Sequence, residues 1–162
     1  MTRELTVFEV LKIAEEMERQ AARFYRRAAG MYKDPAIRKL FSELAQWEKR
    51  HVQVLADMKD HFSEQAGERG RFDLDRVELS RLDVPPAAFN EHREPAKELA
   101  GDETRADMLK LAIKKERYTI GYYTGLTEFA LGQDNIKAIR SIVQEERRHV
   151  RILMQSLKQA GG

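Results

Sequence analysis

Two segments of the chain, 98 residues apart, are close copies of each other. The first is QWEKRHVQVL, residues 46–55, and the second is QEERRHVRIL, residues 144–153. Each contains a glutamate followed three residues later by a histidine, and the four residues are Glu48, His51, Glu146 and His149. The same shift aligns two further pairs, Glu18 with Glu116 and Tyr25 with Tyr123. Such a repeat predicts a fold built from two similar halves.

Four long segments have the periodicity of amphipathic helices, with apolar residues recurring at spacings of three and four. We predict helices over about 6–29, 35–61, 102–131 and 134–159. Almost no segment has the alternating pattern of a strand, so the fold class is predicted to be all-α. At 1.5 Å per residue, helices of about 25 residues are about 37 Å long, which suits a helix bundle.

The lengths of the connections predict the topology. Gly30 is expected to end the first helix, and Asp34 with Pro35 suits the start of the second. Short connections within each pair of helices predict two antiparallel hairpins, whereas residues 62–101 separate the pairs. Residues 1–162 are therefore predicted to form a single domain, an antiparallel four-helix bundle with one long crossover between helices 2 and 3.

The composition argues against several classes of function. With 29 basic and 27 acidic residues, the chain has no basic stripe for nucleic acid. It contains no cysteine, which excludes disulfides and cysteine-ligated zinc or iron. No apolar run approaches the roughly 20 residues of a membrane span, and the first residues lack the apolar core of a signal peptide. We expect a cytoplasmic protein with neither nucleic acid nor membrane as a partner.

The repeat also predicts a cluster of acids in the core. Glu18 precedes Glu48 by 30 residues, and the equivalent pair in the second half has the same spacing, so both pairs meet near the middle of the bundle. Their helical positions place these acids on apolar faces. Buried together, four carboxylates would repel one another or take up protons, whereas two divalent cations would balance their charge. The predicted metal ligands are Glu18, Glu48, His51, Glu116, Glu146 and His149.

Other readings compete at several positions. A single Glu-x-x-His on a charged helix is most often exposed, and the second copy with its partner glutamate is what favours a metal site. Tyr25 and Tyr123 are either ordinary core aromatics or hydrogen-bond donors to ligand carboxylates, and the sequence leaves both roles open. Several acids without a partner in the repeat, and the two other histidines, are expected to face solvent: Glu15, Glu16, Glu43, Glu128, His61 and His92.

These helices resemble those of the rubrerythrin and ferritin-like family of di-iron carboxylate proteins. MERQAARFY and KERYTIGYY are similar to the family's Glu-x6-Tyr helices, and EKRH and ERRH to its Glu-x-x-His helices. The resemblance covers all four helices but not residues 62–101. It implies that Glu48 and Glu146 are bridging ligands and that Glu18 and Glu116 are terminal carboxylates. It also implies that His51 and His149 supply one imidazole to each iron.

The resemblance also implies contacts around the ligands. An acid beside the bridging glutamate orients a ligand histidine in related sites, and Glu145 is placed to do so here. Trp47 holds the equivalent position in the first half, so the two halves are expected to differ. Rubrerythrins have an extra glutamate three residues from the ligand on the third helix, where this chain has Ile113 and Thr119.

The function that the resemblance implies is oxidation of a di-iron centre by oxygen or hydrogen peroxide. Two Fe ions per chain are expected, although manganese, or one manganese and one iron, suits the same ligands. An oxidoreductase of ferroxidase or peroxidase type would need an external electron donor to turn over, because the chain lacks the cysteine-ligated iron of rubrerythrins. Only 13 residues follow His149, so a storage cage is not expected. The alternative is a non-catalytic stress protein that sequesters iron, which leaves enzymatic activity open. A homodimer is expected, as is common in related proteins.

Overall fold

The computed structural model describes residues 4–64, 71–73, 99–127 and 131–161. Within these ranges the chain forms four α-helices and one pair of short β-strands. The helices are α1 Val7–Met31, α2 Pro35–Glu64, α3 Arg105–Leu126 and α4 Gln133–Gln159. The strands β1 Glu4–Thr6 and β2 Arg71–Asp73 pair antiparallel. The predicted all-α class is confirmed, and the three-residue strand pair is an addition that the sequence pattern did not indicate.

The first turn of the bundle lies between α1 and α2. Asp34 caps α2 as predicted, because its Oδ1 accepts a hydrogen bond from the backbone N of Ala36 at 2.9 Å. Gly30 does not end α1, which continues to Met31. The three glycines with positive φ are at 101, 132 and 161 among the residues described, so Gly30 does not adopt the left-handed conformation that commonly terminates a helix.

The second hairpin differs more from the prediction. Helix α3 begins at Arg105 and not near Asp102, because the Thr104 hydroxyl accepts from the backbone N of Asp107 at 3.1 Å. It ends at Leu126, five residues before the expected end. Helix α4 follows Gly132, whose φ of +87° favours glycine. The connection therefore covers 127–132, and residues 128–130 lie outside the described part.

The predicted crossover falls largely outside the described residues. Its start is later than position 62, because α2 continues to Glu64. At its far end Leu99 is buried in the core, and Arg27 on α1 donates to the Leu99 carbonyl at 3.4 Å. The Glu103 carboxylate accepts from the backbone N of Gly101 at 2.9 Å, which holds the approach to α3.

The four helices pack as two hairpins, α1 with α2 and α3 with α4, and contacts of α1 with α3 and of α2 with α4 join them. This arrangement confirms the predicted four-helix bundle. Among the residues that the structure describes, the apolar core consists of two separate clusters. One cluster is centred on Val10, Leu11, Leu55, Met58, Tyr122, Tyr123, Ile139 and Ile142. The other is centred on Phe24, Tyr25, Ile37, Phe41, Leu44, Met108, Leu109 and Leu153. Among the helices described, none is both long and apolar enough to cross a membrane.

Glu15 corrects one expectation about exposed acids. Its residue is only 6% exposed, and its carboxylate binds Lys59 on α2 at 2.6 Å and Arg19 at 2.5 Å. Burial would raise the pKa of Glu15, but these two hydrogen bonds outweigh burial and hold the pKa below its usual value. Glu16 is partly buried, whereas Glu43 and His61 are exposed as expected. Glu128 and His92 lie outside the described residues.

Candidate metal centre

A polar layer separates the two apolar clusters. Each of the four helices contributes a glutamate to it, and α2 and α4 each add a histidine. All six residues are at most 3% exposed, so they lie inside the bundle and not on its surface: Glu18, Glu48, His51, Glu116, Glu146 and His149. The structure thus brings together the whole set that the sequence repeat predicted as ligands.

The six residues form two overlapping groups of potential metal ligands. One group is Glu18, Glu48, His51 and Glu146, and the other is Glu48, Glu116, Glu146 and His149. In each group, one ligand atom from every residue lies within 4.8 Å of the others. The two central carboxylates belong to both groups, and the two imidazole rings are 6.2 Å apart. This geometry suits two metal ions that share two carboxylates.

Orphaned polar atoms show that the residues fit a pair of cations. Three ligand oxygens are buried, and none of them accepts a well-aligned hydrogen bond among the described residues: Glu18 Oε2, Glu48 Oε1 and Glu146 Oε1. Unsatisfied buried polar atoms cost about 1–3 kcal/mol each, so they require compensation. Oxygen and imidazole ligands suit iron and manganese. The chain has no cysteine, so it offers no thiolate, the ligand that softer metal ions prefer.

The surroundings of His51 also fit a bound cation. Its Nδ1 lies 2.9 Å from a Glu146 oxygen, 3.3 Å from Glu48 and 3.8 Å from Glu18. A ring nitrogen carries at most one hydrogen, which cannot serve three carboxylates at once. A cation at the centre of this group would be shared by all of them.

Without metal, the layer retains protons. Burial and repulsion between the carboxylates raise the pKa values of Glu48, Glu116 and Glu146. Burial would lower the pKa of His51, but its carboxylate partners outweigh burial and raise it. Burial would also raise the pKa of Glu18, but hydrogen bonds with its neighbours outweigh burial and lower it. Burial lowers the pKa of His149, so the retained protons are expected on Glu48, Glu116, Glu146 and His51, and not on Glu18 or His149.

Two buried tyrosines connect the hairpins through the carboxylates. The Tyr25 hydroxyl on α1 donates to Glu116 on α3 at 2.5 Å. The Tyr123 hydroxyl on α3 donates to Glu18 on α1, also at 2.5 Å. Burial, with the adjacent carboxylates, raises the pKa of both phenols well above the usual value, so both remain protonated donors. The sequence left open whether these tyrosines are core aromatics or hydrogen-bond donors to ligand carboxylates. In the structure their rings belong to the core and their hydroxyls contact predicted ligands.

The two histidines have different neighbours on their outer side. Glu145, at the position expected to orient a histidine, lies with its Oε2 2.6 Å from His51 Nε2. The His149 ring instead faces Trp47, with centroids 5.9 Å apart. The guanidinium groups of Arg50 and Arg148 lie 4.6 Å and 4.9 Å from the Trp47 centroid. We did not predict this cation–π arrangement, although the two arginines align in the repeat and could have indicated it.

The third helix supplies no further carboxylate at positions 113 and 119, the two places where the extra glutamate of rubrerythrins could have been. Ile113 is buried in the apolar core. The Thr119 hydroxyl donates to the Lys115 carbonyl of its own helix at 3.1 Å. Among the described residues, the candidate ligand set therefore remains at four glutamates and two histidines.

Fold and site together define a class of protein, the four-helix bundle with a buried cluster of carboxylates and histidines suited to two metal ions. Residues 6–159 match the ferritin-like domain family, and the chain belongs to that family. Its structure is similar to a crystal structure from Thermotoga maritima, provisionally described as a ferritin-like diiron-carboxylate protein. The TM-score is 0.74 with 23% sequence identity, and the alignment covers 99% of each chain. This likeness supports the fold. Comparison with curated protein sequences gives no significant match.

Proposed function

We propose that this protein holds two iron ions in the polar layer and oxidises Fe(II) with oxygen or hydrogen peroxide. The observation that carries the proposal is the pair of buried ligand groups that share Glu48 and Glu146. Shared carboxylates would hold two ions close enough for both to react with one molecule of oxidant. Each Fe(II) gives up one electron, so two reduce oxygen to peroxide, or peroxide to water, with uptake of two protons.

The residues of the chain have distinct parts in this proposal. Glu48 and Glu146 would contribute to both metal positions, and Glu18 and Glu116 would each contribute to one. Tyr25 and Tyr123 hold the two terminal carboxylates in place through their hydroxyls. The apolar clusters on both sides of the layer limit the access of water to it. An external electron donor would return the centre to the reduced state.

Stopped-flow mixing tests the proposal. The protein is loaded with two equivalents of Fe(II) under anaerobic conditions and mixed separately with oxygen and with peroxide, while near-ultraviolet absorbance follows formation of Fe(III). We expect oxidation faster than that of free Fe(II), with two Fe(II) consumed per peroxide.

Two variants provide the matched comparison. Glu48→Ala should lose the fast phase, whereas Glu43→Ala, which alters an exposed acid on the same helix, should retain it. A protein that binds two Fe(II) but reacts with neither oxidant would instead be the non-catalytic, iron-sequestering protein. Preferential loading and activity with Mn(II) would replace iron as the proposed metal.

A further inference from the structure

The two halves of the polar layer are alike in their ligands but differ behind their histidines. Each imidazole presents Nδ1 to the carboxylates, since His51 Nδ1 lies 2.9 Å from Glu146 and His149 Nδ1 lies 3.1 Å from the same residue. The outer nitrogen, Nε2, therefore determines how readily each ring offers Nδ1 to a metal.

His51 has a partner that favours metal binding. Coordination through Nδ1 requires the neutral tautomer with its hydrogen on Nε2. Glu145 Oε2 lies 2.6 Å from that nitrogen and can accept this hydrogen. Such a carboxylate fixes the ring orientation and makes the ligand nitrogen more basic. Glu145 is partly exposed, with 34% of its side chain accessible, so it lies at the edge of the layer.

His149 lacks an equivalent acceptor among the described residues. Its Nε2 is buried without a hydrogen-bond partner, and the neighbouring Trp47 can donate a hydrogen bond but cannot accept one. The tautomer that does find a partner carries its hydrogen on Nδ1 and donates to Glu146, which blocks coordination. The guanidinium groups of Arg50 and Arg148, on Trp47, add positive charge on this side.

We propose that the two metal positions are inequivalent: the position of Glu18 and His51 binds a divalent ion more tightly than the position of Glu116 and His149. Loss of an outer partner of a metal-bound histidine commonly changes affinity by about 10- to 100-fold, and this is the difference we expect. Glu145 is thus a positioning residue that acts through His51. The inference rests on the proposed metal-binding function.

Single-position variants provide the test. Two ions that share carboxylates repel each other, so successive binding steps in the wild type would differ even for identical positions. His149→Ala leaves the His51 group complete, and His51→Ala leaves the His149 group complete. Anaerobic titration of each metal-free variant with Mn(II), with free Mn(II) measured by electron paramagnetic resonance, gives one dissociation constant for each. We expect the value for His51→Ala to be about 10- to 100-fold higher than that for His149→Ala.

Exchange of the outer residues separates positioning from general structure. In the His149→Ala background, Glu145→Gln should weaken Mn(II) binding about tenfold or more, because an amide lacks the charge of the carboxylate. In the His51→Ala background, Trp47→Glu should strengthen binding by giving His149 an acceptor, whereas Trp47→Phe should not. Thermal unfolding of each metal-free variant verifies that it is folded. A merely structural role for these residues would not produce a gain in affinity.

The outcomes distinguish this inference from the proposed function. Equal dissociation constants for His51→Ala and His149→Ala, or tight binding that survives Glu145→Gln unchanged, would overturn the inference while leaving a two-metal protein. A wild type that binds neither Mn(II) nor Fe(II) would overturn both proposals.

Discussion

Glu48 and Glu146 differ from the other two glutamates of the layer in how many ligand groups they join. Both occur in each group, whereas Glu18 and Glu116 occur in one group each. We therefore predict that Glu48→Ala or Glu146→Ala abolishes binding of both ions. Glu18→Ala or Glu116→Ala should remove one ion and leave the other. Metal content per chain after anaerobic equilibration with Fe(II) or Mn(II) measures this difference, and one tightly held ion in Glu48→Ala would contradict a bridging role.

The phenol hydroxyls of Tyr25 and Tyr123 form the second residue-scale prediction. Each donates to a terminal carboxylate, so Tyr25→Phe or Tyr123→Phe should lower metal affinity about tenfold by freeing that carboxylate to move. Tyr122 is a matched control, because its hydroxyl donates to the Val10 carbonyl at 2.9 Å. Tyr122→Phe should cost about 1 kcal/mol of stability but leave the Mn(II) dissociation constant unchanged. Equal losses of affinity in all three variants would indicate disturbed packing.

The cluster of six candidate ligands could be predicted from sequence because it depends on local spacing. A helix places residues three and four apart on one face, and the repeat supplied each face twice, so Glu48 with His51 was matched by Glu146 with His149. The prediction that Glu15 faces solvent was wrong because the environment of this residue depends on a contact distant in sequence. Its burial depends on Lys59, which is 44 residues away and on another helix. A pairing of this kind leaves no periodic signal in either helix.

Among the elements, the helix starts were predicted better than the ends. Asp34 and the apolar periodicity located the start of α2, and the start of α4 was one residue from its predicted position. The end of α3 was predicted near Leu131, which is buried in the core but lies beyond the helix. The β1 and β2 pairing was missed because three-residue strands are too short to show alternation.

The ion pair between Glu15 and Lys59 gives an element-scale prediction, since it joins α1 to α2. Lys59→Met leaves a largely buried carboxylate with Arg19 alone, so we expect a loss of about 1–3 kcal/mol in the free energy of unfolding. Replacing both residues in Glu15→Leu, Lys59→Met should recover most of the loss, because no unpaired charge remains. Urea unfolding of the metal-free protein, analysed as a double-mutant cycle, measures the coupling.

An exposed pair on the second helix is the control for that cycle. Lys39 and Glu43 are 3.7 Å apart, with 76% and 60% of their side chains accessible. Lys39→Met should therefore change stability by no more than about 0.5 kcal/mol. If Lys59→Met were as mild as Lys39→Met, the pair of Glu15 and Lys59 would contribute nothing to the joining of the two helices.

At the scale of the whole molecule, the polar layer interrupts what would otherwise be one continuous core. The apolar clusters stabilise the bundle at either side, while the layer between them holds four glutamates that destabilise the metal-free protein. A fully apolar interior would avoid this conflict and can be more stable than a buried charge cluster. If the layer is the metal site that we propose, bound cations would compensate for this loss of stability.

Metal binding should consequently stabilise the fold, and more so as the pH rises. Native-state binding adds about 2.7 kcal/mol when free metal is a hundredfold above Kd. The raised pKa values of Glu48, Glu116 and Glu146 mean that the native metal-free protein holds protons which the unfolded chain has released. Stability of the metal-free protein should thus fall as the pH rises above the ordinary glutamate value of 4.5. The lowered pKa of His149 opposes part of this fall below its ordinary value of 6.5.

Thermal unfolding with chelator and with excess Mn(II), at several pH values between about 5 and 8, measures this stabilisation in the range where the glutamates of an unfolded chain are ionised. The melting temperature with chelator should decrease across the range, and the gap between the two curves should widen, because cations replace the retained protons. Replacing Glu18, Glu48, Glu116 and Glu146 together with Gln should flatten the pH dependence and remove most of the metal response. A wild-type melting temperature that is the same with chelator and with Mn(II) at every pH would mean that these glutamates do not form a metal-binding core.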